Sequence, residues 1–414
     1  MPKSSKIDLT VEEKYKKMTP HEHVLALPGM YIGSTEETSS EMWIYDDNKN
    51  KLKKKEIKFV PGLYKIYDEI LVNARDNTIR DKTCKTIKVT IEDDNISIWN
   101  DGTGIEVEYH KKEKQYVPEM IFGHLRTGGN YEQKGKIVGG KHGLGAKLTN
   151  IYSKEFTVKT KYSKNGKTFE QHFSENMYQR TKPKIKESNK GKGYTEISFK
   201  PDYERFGIKG LTEDVLALFK KRVYDVAACT SDKVKVYLND SLIKVANFEQ
   251  YINMYYNEDT DASKPIYAEF SPDKTIKDNR WKVGVVFDPS AGYDQVSYVN
   301  GICTYKGGSH VKHVVDQVVT SLVDNMKAKN KNINIKFSHV KENLTFFVNA
   351  VINDPDFPSQ TKDEMTTKLS NFGSRCDIST SFIKDIEKTG IVDEVVNFAK
   401  LKQLTELKKS DEKK

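Results

Sequence analysis

The chain reads as α+β: an α/β sandwich followed by a second, smaller α/β unit. Three features between Gly62 and Lys147 predict the first unit. They are a helical pattern (GLYKIYDEILVNARDN), an alternating hairpin closing in DGTGI, and a glycine-rich run (GGKHGLGAK) that opens another helical pattern. Strand-like runs that resume at Ile266 and Trp281, after the polar stretch Asn257 to Lys264, predict the second. A chain of 414 residues, 31% charged and 36% hydrophobic, is long enough for two such units and has the make-up of a globular protein with a sizeable core.

In the helix, Glu69, Asn73 and Asn77 recur every four residues and share one face, beside an apolar stripe of Leu63, Ile66 and Ile70. A carboxylate there suits a general base that polarises a water. Asn73, one turn on, offers an amide oxygen suited to a Mg²⁺ ion that keeps several waters and bridges phosphates. Taken alone, such a stripe is the ordinary solvated side of an amphipathic helix.

The segment Thr86 to Ile91, the turn Asp93-Asp94-Asn95 and the run Ile96 to Asn100 form the expected hairpin, which delivers Asp101 to a strand end. Gly102 and Gly104 then allow a sharp turn and a close backbone approach. A carboxylate at Asp101 can accept a hydrogen bond from an adenine amino group. By itself an Asp-Gly-x-Gly sequence is usually only a turn.

The third feature runs from Gly139 and Gly140 through Lys141, His142, Gly143, Leu144, Gly145 and Ala146 to Lys147, before the apolar helix pattern of Leu148 and Ile151. Backbone amides at a glycine-rich helix start form an anion site, and Lys147 adds a cation. The run is not a Walker A loop, because Gly-Lys is not followed by Ser or Thr at the required spacing. The three features in this order describe a site that folds a lid over ATP.

The same segment resembles the ATPase region of type IIA DNA topoisomerases, within the wider Bergerat-fold (GHKL) group that includes chaperone, mismatch-repair and histidine-kinase domains. The resemblance covers nearly the whole chain, through HVLALPGMYIGS, DEILVNARDN, VPEMIFGHLRTGGNY, VNGICTYKGGSHV and SQTKDEM. It implies a GHKL ATP-binding domain over residues 1–257, with Met1 to Thr19 as an arm exchanged between partners. A transducer domain with a ribosomal-protein-like α/β fold follows over 258–400. Residues 401–414 are the expected terminal helix and polar tail leading toward a cleavage core, so the chain is expected to be the ATPase portion of a longer polypeptide.

Carried over by position, the resemblance makes Glu69 the hydrolytic base, Asn73 the Mg²⁺ and phosphate ligand, and Asp101 the adenine contact. Gly128, Gly129 and Asn130 fall where the family meets the nucleoside. Gly140 through Lys147 form the lid, and Gln360 with Lys362 form the Gln-Thr-Lys element that reaches the γ-phosphate from the second domain. A lysine on another domain senses the terminal phosphate and turns hydrolysis into interdomain motion. Lys327, Lys329, Lys331 and Lys336 match a lysine-rich loop facing DNA inside the clamp; the other reading is a solvated loop. The implied cofactors are ATP and Mg²⁺, and the implied partners are double-stranded DNA and a second copy of the chain. A mismatch-repair- or chaperone-like GHKL ATPase lacks VPEMIFGHLRTGGNY, and a non-hydrolysing DNA clamp would lose Glu69.

Asp101, Gly128-Gly129 and Lys141-His142 depart from the eukaryotic pattern toward the bacterial gyrase one, which suggests a deep-branching lineage or a large DNA virus. The expected compartment is the nucleus, or a viral factory or virion. Cys84, Cys229, Cys303 and Cys376 are too scattered for a metal or redox motif and fit a reducing compartment. The net charge of +9 is modest for this length and does not by itself imply nucleic acid. The basic run Lys51 to Lys55 reads as a solvated loop rather than a nuclear signal.

Overall fold

Period-two alternation builds the larger of two sheets. A computed structural model describes residues 11, 15, 17–92, 94–125, 127, 135–140, 143–256, 260–271 and 280–411. Nine strands pair, in the main order Lys184–Glu187, Lys167–Ser174, Ser153–Lys161, Gly193–Pro201, Asn95–Gly102, Thr86–Glu92, Lys235–Leu238 and Ser241–Leu242, with Gln179–Arg180 beside Lys167–Ser174. All neighbours are antiparallel except Lys235–Leu238 against Thr86–Glu92. Ile87, Val89, Ile96, Ile98, Phe156, Val158, Ile197 and Phe199 alternate inward and are buried.

The helix Pro61–Arg80 crosses this apolar face. Proline at its first turn needs no amide partner there, and Leu63, Ile66, Tyr67, Ile70 and Leu71 are buried. Tyr67 stacks on Phe219 at 4.1 Å, tying it to the helix Glu213–Cys229, which Thr212 caps.

The second sheet is ordered Ile266–Phe270, Trp281–Phe287, Leu344–Ala350, Asp294–Val299, Ile302–Cys303. Asp294–Val299 runs parallel to Leu344–Ala350, and the helix Ser309–Lys329 lies in the connection between them. Both faces of this sheet are covered. Trp281, Val283, Val285, Phe346 and Val348 pack with Val314, Val318 and Leu322 of that helix. Val286, Val296, Tyr298 and Phe347 join the core of the first unit beside Tyr251, Ile252 and Tyr255. Burial on both sides explains why all seven residues of Leu344–Ala350 are buried.

The junction also holds buried charge. Lys221 Nζ donates to Asp225 at 3.0 Å, and Tyr251 OH contacts Asp225 and Tyr298 OH at 2.5 and 2.7 Å.

The run Lys51 to Lys55 is not a loop. It forms the strand Lys51–Phe59 paired with Thr38–Asp46, and its lysines meet acids: Lys53 with Asp46, Lys54 with Asp294 and Lys55 with Asp214, at 3.0, 3.0 and 2.7 Å. The C-terminal helix Val392–Asp411 passes residue 400 without a break. The proposed arm, Met1 to Thr19, lies largely outside the described residues. Among the described residues, no helix is long and apolar enough to cross a membrane.

Candidate active site

A cavity of about 270 Å³ lies between the Pro61–Arg80 helix, the inner face of the large sheet, the lid and one loop of the second unit. Glu69, Asn73 and Asn77 all line it, as their shared helix face requires. Glu69 and Asn77 are eight residues apart, about 12 Å along the axis, so the cavity has two separate ends.

The first end is charged. Glu69 is buried, and its Oε1 meets Lys65 Nζ at 2.5 Å and Lys362 Nζ at 3.7 Å. Burial pushes the Glu69 carboxyl up, but the Lys362 and Lys65 ammoniums outweigh it and hold the group at about 2. Burial pushes the Lys362 ammonium below its ordinary range, and the Glu69 carboxylate beside it pulls it partly back. Lys362 Nζ also donates to Gly139 O at 3.3 Å, and Gln360 lines the cavity beside it. Both residues come from the loop after Leu344–Ala350, so two units build this end.

The lid enters through Gly139 and Gly140, whose amides donate to Asp76 at 3.0 and 2.8 Å. It returns through Gly143, Leu144, Gly145 and Ala146, which line the cavity as the chain enters the helix Gly145–Ile151. Any Cβ on Gly145 would overlap Glu69 Oε2, so only glycine lets this helix approach the carboxylate. Lys147 is buried and donates to Thr127 O at 2.5 Å and Gly143 O at 2.6 Å. Burial lowers its ammonium to about 8. Lys141 and His142, and the nucleoside-loop residues Gly128, Gly129 and Asn130, lie outside the described residues.

The second end is neutral apart from Arg80, which lines the cavity and pairs with Asp76 Oδ2 at 3.8 Å. Ile98, Ile105, Ile121 and Ile197 wall this end, with Asn77, Asn100 and Thr195 as its uncharged polar groups. Here the expectation for Asp101 fails. Its Oδ1 accepts the backbone amides of Lys85 and Thr86 at 2.7 and 2.8 Å, and its side chain faces a shallow cleft on the sheet's opposite side. Successive side chains of a strand point to opposite faces, so Asn100, not Asp101, enters the cavity. Asn100 Nδ2 donates to Asp101 O at 2.8 Å and lies 3.8 Å from Cys84 Sγ, which leaves Oδ1 as the acceptor. Gly104 is placed by the backbone: its φ is +76° and a Cβ would strike Lys161 O.

Of the four proposed DNA-binding lysines, Lys327 and Lys329 end the Ser309–Lys329 helix, Lys331 follows it, and Lys336 precedes the helix Phe337–Lys341. All four are exposed, and Lys329 reaches Glu387 at 3.8 Å, so the group is half helix rather than a single loop. The motifs single out neither Asp76 nor Asn100, but alternation from Ile96 and Ile98 places Asn100 on the cavity face.

Residues 61–204 match the family described as "Histidine kinase-, DNA gyrase B-, and HSP90-like ATPase", and residues 247–414 match "DNA gyrase B". Fold and cavity thus define the class as a GHKL ATPase fold joined to a second α/β unit. The "DNA topoisomerase 2" of Acanthamoeba polyphaga mimivirus is 47% identical over 420 residues, covering 99% of this chain and 32% of the relative, so the chain spans about a third of that protein's length. The ATPase region of Saccharomyces cerevisiae topoisomerase II superposes with a TM-score of 0.87 at 39% identity, covering 94% of this chain and all 100% of that one. The ATPase and transducer domains of DNA topoisomerase II from Balamuthia mandrillaris give 0.87 and 39%, covering 95% and 100%. The chain belongs to the DNA topoisomerase II family and corresponds to its ATPase region.

Proposed function

We propose that the chain is the ATP-binding and ATP-hydrolysing N-terminal gate of a type IIA topoisomerase, with residues 1–257 as the ATP-binding domain and 258–400 as the transducer. The carrying observation is Glu69, a buried carboxylate flanked by Lys65 at 2.5 Å and, from the second unit, by Lys362 at 3.7 Å. The triphosphate takes the charged end, and the adenine takes the neutral end, where Asn100 Oδ1 accepts its amino proton. Glu69 stays ionised at working pH, so it orients and polarises the attacking water. Lys147 and the backbone of Gly143 to Ala146, which lines the cavity, hold phosphate charge, and Lys362 contacts the terminal phosphate.

Asn73 lines the cavity one turn from Glu69 and offers a hard amide oxygen there. That donor set fits Mg²⁺, which takes few protein ligands and completes its shell with phosphate oxygens and water. Bound there, the ion would neutralise phosphate charge.

Two copies close when ATP draws Lys362 and the lid together, trapping a DNA duplex that Lys327, Lys329, Lys331 and Lys336 contact through phosphates without reading sequence. The cleavage core belongs to the longer polypeptide, acting in the nucleus or, for a viral enzyme, in the viral factory. Light scattering tests the switch: a non-hydrolysable ATP analogue with Mg²⁺ should double the mass and ADP should not. The same mass with both nucleotides would contradict it.

A further inference from the structure

The lid root is joined to the second sheet by a contact that bypasses the phosphate end. Arg75, on the side of the Pro61–Arg80 helix away from the cavity, is buried, and its guanidinium donates to Asn300 O at 2.9 Å. It also reaches Cys229 O and Asp76 Oδ1, each at 3.4 Å. Asp76 is the carboxylate that holds the amides of Gly139 and Gly140.

Asn300 and Gly301 form the turn between Asp294–Val299 and Ile302–Cys303, with φ of +49° and +76°. A Cβ on Gly301 would lie 2.7 Å from Arg75 Nε, and one on Gly139 would meet Ile302 and Asn300 O. The turn is gripped from its other side by Arg222, which donates to Gly301 O at 2.6 Å and to Asp68 at 2.7 Å. Asp68 precedes Glu69, and Asp76 lies one turn beyond Asn73, so the Pro61–Arg80 helix carries the nucleotide face, Arg75 and the carboxylate that holds Arg222, which itself comes from the helix Glu213–Cys229.

We propose that Arg75 is a positioning residue that fastens the root of the nucleotide lid to the Asn300–Gly301 turn, so that the lid and the second sheet move together. The role rests on the reading of the cavity as an ATP site. Lys362 reports the terminal phosphate, whereas Arg75 reports the lid root, through Asp76, whatever phosphate is bound. A guanidinium serves because it spans a carbonyl and a carboxylate at fixed angles; an ammonium cannot hold both.

The test compares Arg75→Ala, Arg75→Lys and Gly301→Ala with wild type in the 414-residue chain. The readouts are calorimetric binding of a non-hydrolysable ATP analogue, kcat and KM for ATP, and hydrogen exchange of the Gly139–Gly140 and Asn300–Ile302 amides with and without analogue. The expected result for Arg75→Ala is binding within a few-fold of wild type and a kcat lower by about tenfold, a usual size for coupling between sites. The protection that nucleotide induces at the lid root should no longer extend to the turn. Arg75→Lys should not rescue it. Gly301→Ala, which displaces the guanidinium from the transducer side, should give the same loss and covers the case in which Arg75→Ala does not fold. Folded variants with wild-type kcat and turn protection, or rescue by lysine, would overturn the proposal. If wild type itself binds no analogue, the ATP reading fails instead.

Discussion

The two ends of the cavity are built on opposite plans. The neutral end is built wholly within the first unit: Ile98, Asn100, Thr195 and Ile197 on adjacent strands, with Asn77 above them and Ile105 and Ile121 at the side. The charged end is assembled across units, Glu69 and Lys65 from the helix and Lys362 from a loop some 290 residues later. An end made within one unit is fixed as soon as that unit folds, and it can recognise a base. An end that needs a second unit is complete only when the two units are docked, and it can signal. Under the proposed function, base recognition and phosphate sensing are separated by the 12 Å or so of helix between Asn77 and Glu69.

The sharpest break in this comparison is Glu69→Gln. It should abolish hydrolysis, lowering kcat by about 10²- to 10⁴-fold, while a non-hydrolysable analogue still binds. Turnover near wild type in the folded mutant would place the base elsewhere.

Next in size is the pair Asn100→Ala and Asp101→Ala, neighbours on opposite faces of one strand. Asn100→Ala should weaken analogue binding by about 1–3 kcal/mol and flatten the preference for adenine over guanine. Asp101→Ala should leave that preference intact and lower thermal stability, because two backbone amides lose their acceptor. Calorimetry and melting curves on both variants decide it; the reverse assignment of effects would restore Asp101 to the site.

A smaller effect concerns pH. Burial holds the Lys147 ammonium at about 8, so in the free protein it turns neutral above that pH, whereas a bound triphosphate favours the charged form. Binding should therefore take up a proton above pH about 8, and affinity should fall with rising pH by at most about tenfold per unit. Below about 7 the group is already charged and adds no slope. Calorimetry in buffers of different ionisation heat reads the proton directly, and Lys147→Met should remove it.

The smallest effect is expected from neutralising Lys327, Lys329 and Lys331 together. DNA stimulation of the ATPase should drop while the basal rate holds, and added salt should mimic the mutant. An unchanged response at low salt would make these lysines mere surface.

What the sequence reveals follows the same divide. The helix, the hairpin and the lid are legible because each is written in a local period, and Glu69, Asn73 and Asn77 fall on one face by spacing alone. The Asp-Gly motif points to Asp101, whereas strand alternation puts Ile96, Ile98 and Asn100 on a common side, and it is the alternation that the cavity obeys. The strand Lys51–Phe59 is hidden because its lysines find acids as distant as Asp214 and Asp294. Arg75 carries no local sign of its role, since its carbonyl partner lies 225 residues away. Short-range periodicity shows what a residue faces, but not which distant segment will face it.

The most direct test of the central claim, that a second unit completes the phosphate end, is the ratio of ADP to triphosphate-analogue dissociation constants in wild type and in Lys362→Ala. The account predicts a clear preference for the triphosphate in wild type that collapses toward unity in the mutant, with ADP affinity nearly unchanged. An equal preference in both proteins would contradict it.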